Sequence, residues 1–297
     1  MATTLAANWT SGILDPATEE IFTAGMVRSL GSDSAMRFFN ILPGDSLTIQ
    51  NVGVDGPSAY QPRTDNEEIP LSDVAQRNSK TYTQSEHSNG FSISHKARLF
   101  ADSSILGRFF GQLGGAAGQL FDESMYDVLE GGFSDTGPDG VSLFNASHPV
   151  DKTGGTVSNY GTTALDFSAL AAARAVMRRL KTSSGMKQRI EPRFLVVAPE
   201  IGDTAQQLVA SAYTSAALQT NTFAGGLEVV VSSYIDDTND WFLFGDSSEH
   251  HMKLYLGKGP TPEMRIDPKT KAIVMDDIVV FATGYDDFRG GFGAEVA

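Results

Sequence analysis

Apolar and polar residues alternate with different periods along this chain, and the changes of period mark out its elements. Ser46–Val54 (SLTIQNVGV) reads as a strand. Thr81–His95 (TYTQSEHSNGFSISH) alternates polar and apolar residues around Ser88-Asn89-Gly90, the pattern of strand, turn and strand. From Asp102 to Glu130 the apolar residues Leu106, Phe109, Phe110, Leu113, Ala117, Leu120, Phe121, Met125 and Val128 recur every three or four positions, which predicts the longest helix of the chain, roughly 40 Å if unbroken. Gly107, Gly111, Gly114, Gly115 and Gly118 fall inside it, each about 1 kcal/mol worse than alanine in a helix interior. Either the helix breaks near Gly114-Gly115, or the glycines admit close packing and let it bend.

Beyond Leu143 the pattern turns α/β. Leu165–Lys181 places Phe167, Leu170, Ala173, Met177 and Leu180 on one helical stripe. Phe194–Pro199 (FLVVAP) is a buried strand, Thr204–Ala212 a second helix, and LEVVVSSYI and WFLFG are further strands. From His251 the chain is mostly strand, with a turn at Gly259-Pro260, the strand DIVVFATGY and a glycine-rich RGGFG tail. Before all of these, residues 1–45 read as an arm with one short helix, capped by Asp15 with Pro16 in its first turn. Gly56–Lys80 is an excursion of about 25 residues without apolar period. Loops that long in folded domains are floppy surface or functional, and both readings stay open.

Composition narrows the function. The 297 residues are 41% hydrophobic, enough for one large or two modest cores. Twenty-two basic against 36 acidic residues give a net charge of −14, which opposes tight nucleic-acid binding. The absence of cysteine removes disulfides, thiolate metal sites and cysteine nucleophiles, and fits a reducing compartment. With neither a basic-then-apolar start nor about 18 consecutive apolar residues, the expectation is a soluble, unexported protein with no membrane contact.

Candidate chemistry is sparse. Five histidines occur (His87, His95, His148, His250, His251) without HExxH spacing, and adjacent His250 and His251 would point to opposite faces of a strand. There is no GxSxG elbow and no glycine-rich phosphate loop. The pairs Glu67-Glu68, Asp236-Asp237 and Asp276-Asp277 read as solvated turns. No catalytic residue, cofactor or metal is assigned. His148, in LFNASHPVDKTGG, raises the one question of catalysis or architecture. One charge feature departs from background: seven basic residues between Arg174 and Arg193 face only Glu191. They form either a solvated helix face or a basic patch that meets an acidic patch of another copy, for which Glu67 and Glu68 are candidate partners.

The order of segments SHKARLFADSSILGRFFGQLGGAAGQLFDESMYDVLEGG, DGVSLFNASHP, RAVMRRLKTSSG, IEPRFLVVAPEIGDTAQQLVAS, LEVVVSSYIDDTNDWFLFGD and GYDDFRGGFG resembles the major head subunit of Mu-like phages and prophages, within the Hong Kong 97-type capsid fold. The likeness spans about Ser34–Gly293 and is densest from Leu143 to Asp246. It implies an α+β chain with an N-terminal arm (1–45) and an extended loop hairpin (46–95). A peripheral domain with the spine helix (96–160, completed by 253–276) and an axial domain (161–252, completed by 277–297) would follow. The loop would lie over a neighbouring subunit, and LFNASHP would be a connection with no catalysis. The loop Thr214–Gly226 would surround the centre of a hexamer or pentamer. Glu67, Glu68, Arg174, Arg178, Lys181 and Asn221 are the implied subunit-interface residues.

The resemblance further implies a non-enzymatic major capsid protein of the virion, assembled in the host bacterial cytoplasm with itself as main partner. Packaged double-stranded DNA would be touched only weakly, and the shell would include a portal, with a decoration protein as a further candidate. Unlike the best-known member of the fold, the chain has no long amphipathic N-terminal segment, which points to a separate scaffolding protein. No lysine–asparagine pair, Lys80 and Lys96 included, stands out for cross-linking. The rival readings are an encapsulin-like nanocompartment shell, a hydrolase using His148 with Asp151, and a monomeric binding module.

Overall fold

In the computed structural model, residues 16–54, 56, 60, 62–69, 71, 76–100, 103–149, 155–182, 184–211 and 222–296 are described. Asp15, the expected cap, lies outside them. Helix α1 (Pro16–Ser29) opens on Pro16, whose missing N–H is tolerated in a first turn. A 3₁₀ turn (Ala35–Arg37), strand β1 (Asn40–Pro43) and the antiparallel ribbon of β2 (Thr48–Val54) and β3 (Gln76–Thr83) follow. Then come β4 (Ser85–Ile93), α2 (His95–Phe100) and α3 (Ser103–Glu130). Short strands β5 (His148–Pro149), β6 (Thr156–Val157) and β7 (Tyr160–Gly161) lead to α4 (Phe167–Arg179), β8 (Phe194–Val197) and α5 (Pro199–Ala210). The chain ends in β9 (Glu228–Val231), β10 (Trp241–Phe244), β11 (Met252–Lys258), β12 (Glu263–Ile266), β13 (Ile273–Tyr285) and β14 (Gly291–Ala294).

Two sheets organise these elements. In the first, β4 pairs along β13 from Ile273 to Phe281, while β12 and β11 pair with Ile273–Asp276 and Val280–Tyr285. Because β4 overlaps both registers, β12 and β11 lie end to end on the opposite edge of β13, and β1 adds in parallel outside β11. The second sheet runs β7-β14-β10-β8-β9. Its strands β8, β10 and β14 are buried at every residue, as continuous apolar runs covered on both faces should be. The 13-residue β13 stays in the first sheet through Tyr285, so residues 277–285 belong with the elements around α3, and from the segment 277–297 only Gly291–Ala294 enters the second sheet.

Ser88-Asn89-Gly90 is not a turn: β4 runs straight through it. Gly90 is there for close approach, since a Cβ would lie 2.6 Å from the Met275 carbonyl oxygen. Between β3 and β4 stands Gln84, whose buried side chain donates to the carbonyls of Gly44 (2.9 Å) and Ser46 (2.6 Å). Helix α4 is capped by Asp166, whose carboxylate accepts from Ala169 N at 2.6 Å, and it buries Leu170, Ala173 and Met177 on the expected stripe. Helix α5 starts at Pro199, five residues before the predicted Thr204, because proline fits the first turn directly after the strand.

The long helix is unbroken over 28 residues. Its glycines resolve the choice left open by sequence, because α1 lies against them backbone to backbone. A Cβ on Gly25 would stand 2.8 Å from the Gly111 carbonyl carbon, and one on Gly114 would stand 2.8 Å from that of Phe22. Gly115 faces the seam more loosely, its nearest neighbour 3.8 Å away. We therefore expect Gly114→Ala to lower stability by about 1–3 kcal/mol through overpacking. Gly115→Ala should leave stability unchanged or raise it by up to about 1 kcal/mol through helix propensity. Urea unfolding of both variants checks this, and equal effects would contradict the seam.

Candidate functional site

His148 sits at the centre of a buried polar knot. Its side chain is fully buried, with Nδ1 2.6 Å from Asp139 Oδ2 and Nε2 3.1 Å from the Leu143 carbonyl and 3.0 Å from Asn159 Oδ1. The imidazole stacks on Phe288 at 3.7 Å and 9°. Asn159 Nδ2 donates to the carbonyls of Leu143 (2.8 Å), Phe288 (3.4 Å) and Gly291 (3.2 Å). Arg289, also buried, donates through Nε to the Lys181 carbonyl at 2.7 Å and through Nη1 to Asp287 at 2.6 and 2.9 Å, and its guanidinium lies 4.7 Å from the Phe288 ring centre. The loop before β5, the strand β14 and the hairpin after α4 are thus tied together. Both ring nitrogens are engaged within the chain, so nothing is left to meet a substrate. The partner of His148 is Asp139; Asp151, the acid weighed with it from sequence, lies outside the described residues.

The remaining titratable groups are set by burial. Desolvation lowers His250 to about 4 and also lowers His251. Among the described residues, no group of three His, Asp or Glu side chains is placed to hold a metal ion. Burial lifts Asp122 to about 6, although its carboxylate accepts from Ser34 Oγ at 2.7 Å and Ala35 N at 3.0 Å, bonds that favour the charged form. This contact pins the 3₁₀ turn to α3 and so places Arg37, which pairs with Glu228 at the start of β9.

The expected interface residues fall in separate places. Glu67 and Glu68 are exposed on the excursion, where Glu67 Oε2 accepts from Thr64 N at 2.9 Å. Arg178 is held bidentately by Glu191 of its own chain at 2.7 and 2.9 Å. Arg174 lies over the Phe223 ring, 4.0 Å from its centre, and donates to Thr222 at 3.0 Å. Lys181 is exposed and bridges to Lys187 in the short hairpin after α4. Asn221 lies outside the described residues. The three basic residues share α4 and the hairpin after it, and among the described residues neither glutamate forms an ion pair with them.

Two features were not singled out from sequence. Glu130, Asp236, Asp237, Asp240 and Glu295 line a cleft of about 440 Å³, where burial and neighbouring carboxylates raise Asp240 to about 6 and raise Glu130 as well. The adjacent pair Asp236-Asp237 was the only signal; Asp240 shares their loop, and Glu130 and Glu295 come from other elements. The second feature is a row of exposed apolar side chains on and beyond the β2–β3 ribbon: Leu47, Val52, Val54, Tyr60, Ile69 and Leu71. Every described residue from Gly56 to Leu71 is exposed.

A sequence profile described as phage capsid protein matches residues 77–294. No curated protein matches the chain. Among solved structures, the capsid of cyanophage P-SCSP1u is similar at TM-score 0.61 and 10% identity, over 89% of this chain and 88% of that one. The bacteriophage JBD30 capsid gives 0.60 at 12% identity, over 69% and 92%. The mature capsid of bacteriophage PhiM1 gives 0.59 at 11% identity, over 88% and 85%. These likenesses are of fold.

Two outcomes follow from the buried groups. His148→Ala should lower stability by about 3–5 kcal/mol in urea unfolding, through a cavity and stranded acceptors; a loss under about 1 kcal/mol would contradict the knot. Asp122 binds its proton more tightly folded than unfolded, so its contribution to stability is greatest below about pH 4 and falls as pH rises through about 6. Asp122→Asn should therefore gain on the order of 3 kcal/mol relative to the parent between pH 4 and 7. Comparison with the parent cancels His250, whose effect has the opposite sign over the same range. A difference that stays flat with pH would contradict the assignment.

Proposed function

The chain belongs to the phage capsid protein family, and on that premise we propose that it is the major head subunit of a tailed phage, building hexamers and pentamers that close into an icosahedral shell around double-stranded DNA. Its role in the virion is structural. The observation that supports the assembly reading most is the excursion between β2 and β3. A ribbon that carries Tyr60, Ile69 and Leu71 into solvent needs a cover, and a neighbouring subunit supplies one. Subunit contacts of standard size bury on the order of 1,600 Å², which arms reaching over neighbours provide without enlarging the core.

In this reading α3 with the first sheet is the peripheral domain and the second sheet with α4 and α5 is the axial domain. Glu67 and Glu68 then travel with the loop onto the neighbour. The Mu-like assignment rests on the order of motifs alone. Assembly takes place in the host cytoplasm with a separate scaffolding protein and a portal, and a decoration protein binds the outer face. The net charge of −14 favours weak, sliding contact with packaged DNA.

Light scattering and negative-stain electron microscopy of the purified chain, alone and co-expressed with its neighbouring genes, test this against a variant lacking residues 56–75. The parent should form rings, tubes or closed shells. The deletion should reduce assembly roughly tenfold or more while thermal unfolding moves by only a few degrees. A parent that stays monomeric in both settings would contradict the capsid reading, and a deletion that assembles normally would remove the role of the loop.

A further inference from the structure

The second sheet carries opposite charge at its two ends. At the end where Phe194, Phe244 and Gly291 lie in register, three acids are already held by arginines of their own chain, Glu191 by Arg178, Asp246 by Arg193 and Glu228 by Arg37, while Glu249 accepts from Asp246 N at 3.5 Å. Arg179, Lys181, Lys187 and Arg189 remain there, exposed and without an ion pair among the described residues. At the other end, where Val197, Trp241 and Ala294 lie in register, the chain places the cleft of Glu130, Asp236, Asp237, Asp240 and Glu295. Among the described residues no cation pairs with these acids; their contacts are the N–H groups of Asp236, Asn239 and Val296 and the Tyr160 hydroxyl. The 13-residue α4 runs from one end to the other, since Thr163 just before it accepts from Trp241 Nε1 at 3.0 Å and Arg179 closes it. The two charged faces are therefore about 20 Å apart, on opposite sides of one rigid unit.

We infer that the subunits of a ring associate head to tail through these faces, with the basic end of one copy seated on the acidic cleft of the next. This rests on the capsid reading and names the surface by which capsomers close. A symmetric two-fold contact through either face would set like charge against like, whereas a heterologous contact pairs opposite charges at every step and closes when the rotation per copy divides a full turn. Among the described residues no cation relieves the crowded carboxylates of the cleft, Asp240 and Glu130 above all, and the next copy supplies it.

Two double variants test the inference. Asp236→Lys with Asp237→Lys sets two lysines among the three acids that remain in the cleft, and Lys181→Glu with Lys187→Glu sets two glutamates beside the two arginines that remain at the basic end, so in each variant one face loses its charge contrast with the other. All four residues are exposed, so each variant should unfold within a few degrees of the parent. Each alone should lose rings and shells by roughly tenfold or more. Mixed in equal amounts, they should assemble again, but only with the two variants alternating. That restricts rings to even numbers of subunits, so hexamers, sheets or tubes return and pentamer-closed shells do not. Normal assembly of either variant alone, or a mixture that stays dispersed, overturns the inference while leaving the capsid reading intact. A parent chain that never assembles overturns both.

Discussion

The backbone contact between α1 and α3 is the constraint on which the rest of the molecule depends. Five glycines in a 28-residue helix weaken it by several kcal/mol on propensity alone. The helix persists because Gly25 meets Gly111 and Gly114 meets Phe22 at distances no side chain would allow. With α1 on that face, α3 turns Phe110, Leu113 and Ala117 toward Ile93, Ile273 and Met275 of the first sheet. One helical span further on, Phe121, Met125 and Leu129 enter the main core with the strands of the second. A single rod thus packs against both sheets. Its last residue, Glu130, accepts from Asp236 N and forms one wall of the acidic cleft.

The second junction is polar. His148, Asn159, Phe288 and Arg289 hold the segments that pass between the sheets, and the bonds are specific in a way that apolar packing is not. This rigidity matters for a subunit that must present the same faces many times over. Small angular errors at each contact would accumulate around a ring, so a body tied by specific polar bonds suits the proposed role. The charge distribution follows the same division. Ion pairs inside the body neutralise acids at one end of the second sheet, and among the described residues the basic side chains left unpaired there are exposed.

Much of this was legible in the sequence. The stripe on α4, the buried run of β8 and the period of α3 reflect local physics, in which spacing alone determines which face is covered. Other features depend on partners distant in the chain. Ser88-Asn89-Gly90 has the composition of a turn, but β13 offers a long edge to pair with and Gly90 is needed for contact with Met275. The carboxylate that meets His148 is Asp139, whose approach depends on a loop no pattern describes. Arg289 opens the segment that reads as a glycine-rich tail, and its guanidinium is buried only because the hairpin after α4 folds over it. The motif order Ser34–Gly293 carried the family where local periodicity could not, because it encodes connectivity.

The proposed shell is built by laying the arm of each subunit over its neighbour. The most direct test is a cryo-electron microscopy reconstruction of the assembled particle, at a resolution that traces the backbone. Density for residues 56–75 should leave its own subunit and lie on the body of an adjacent one, with Tyr60, Ile69 and Leu71 covered by that neighbour. Density that folds back onto the first sheet of its own chain, with subunits touching only through their bodies, would contradict it.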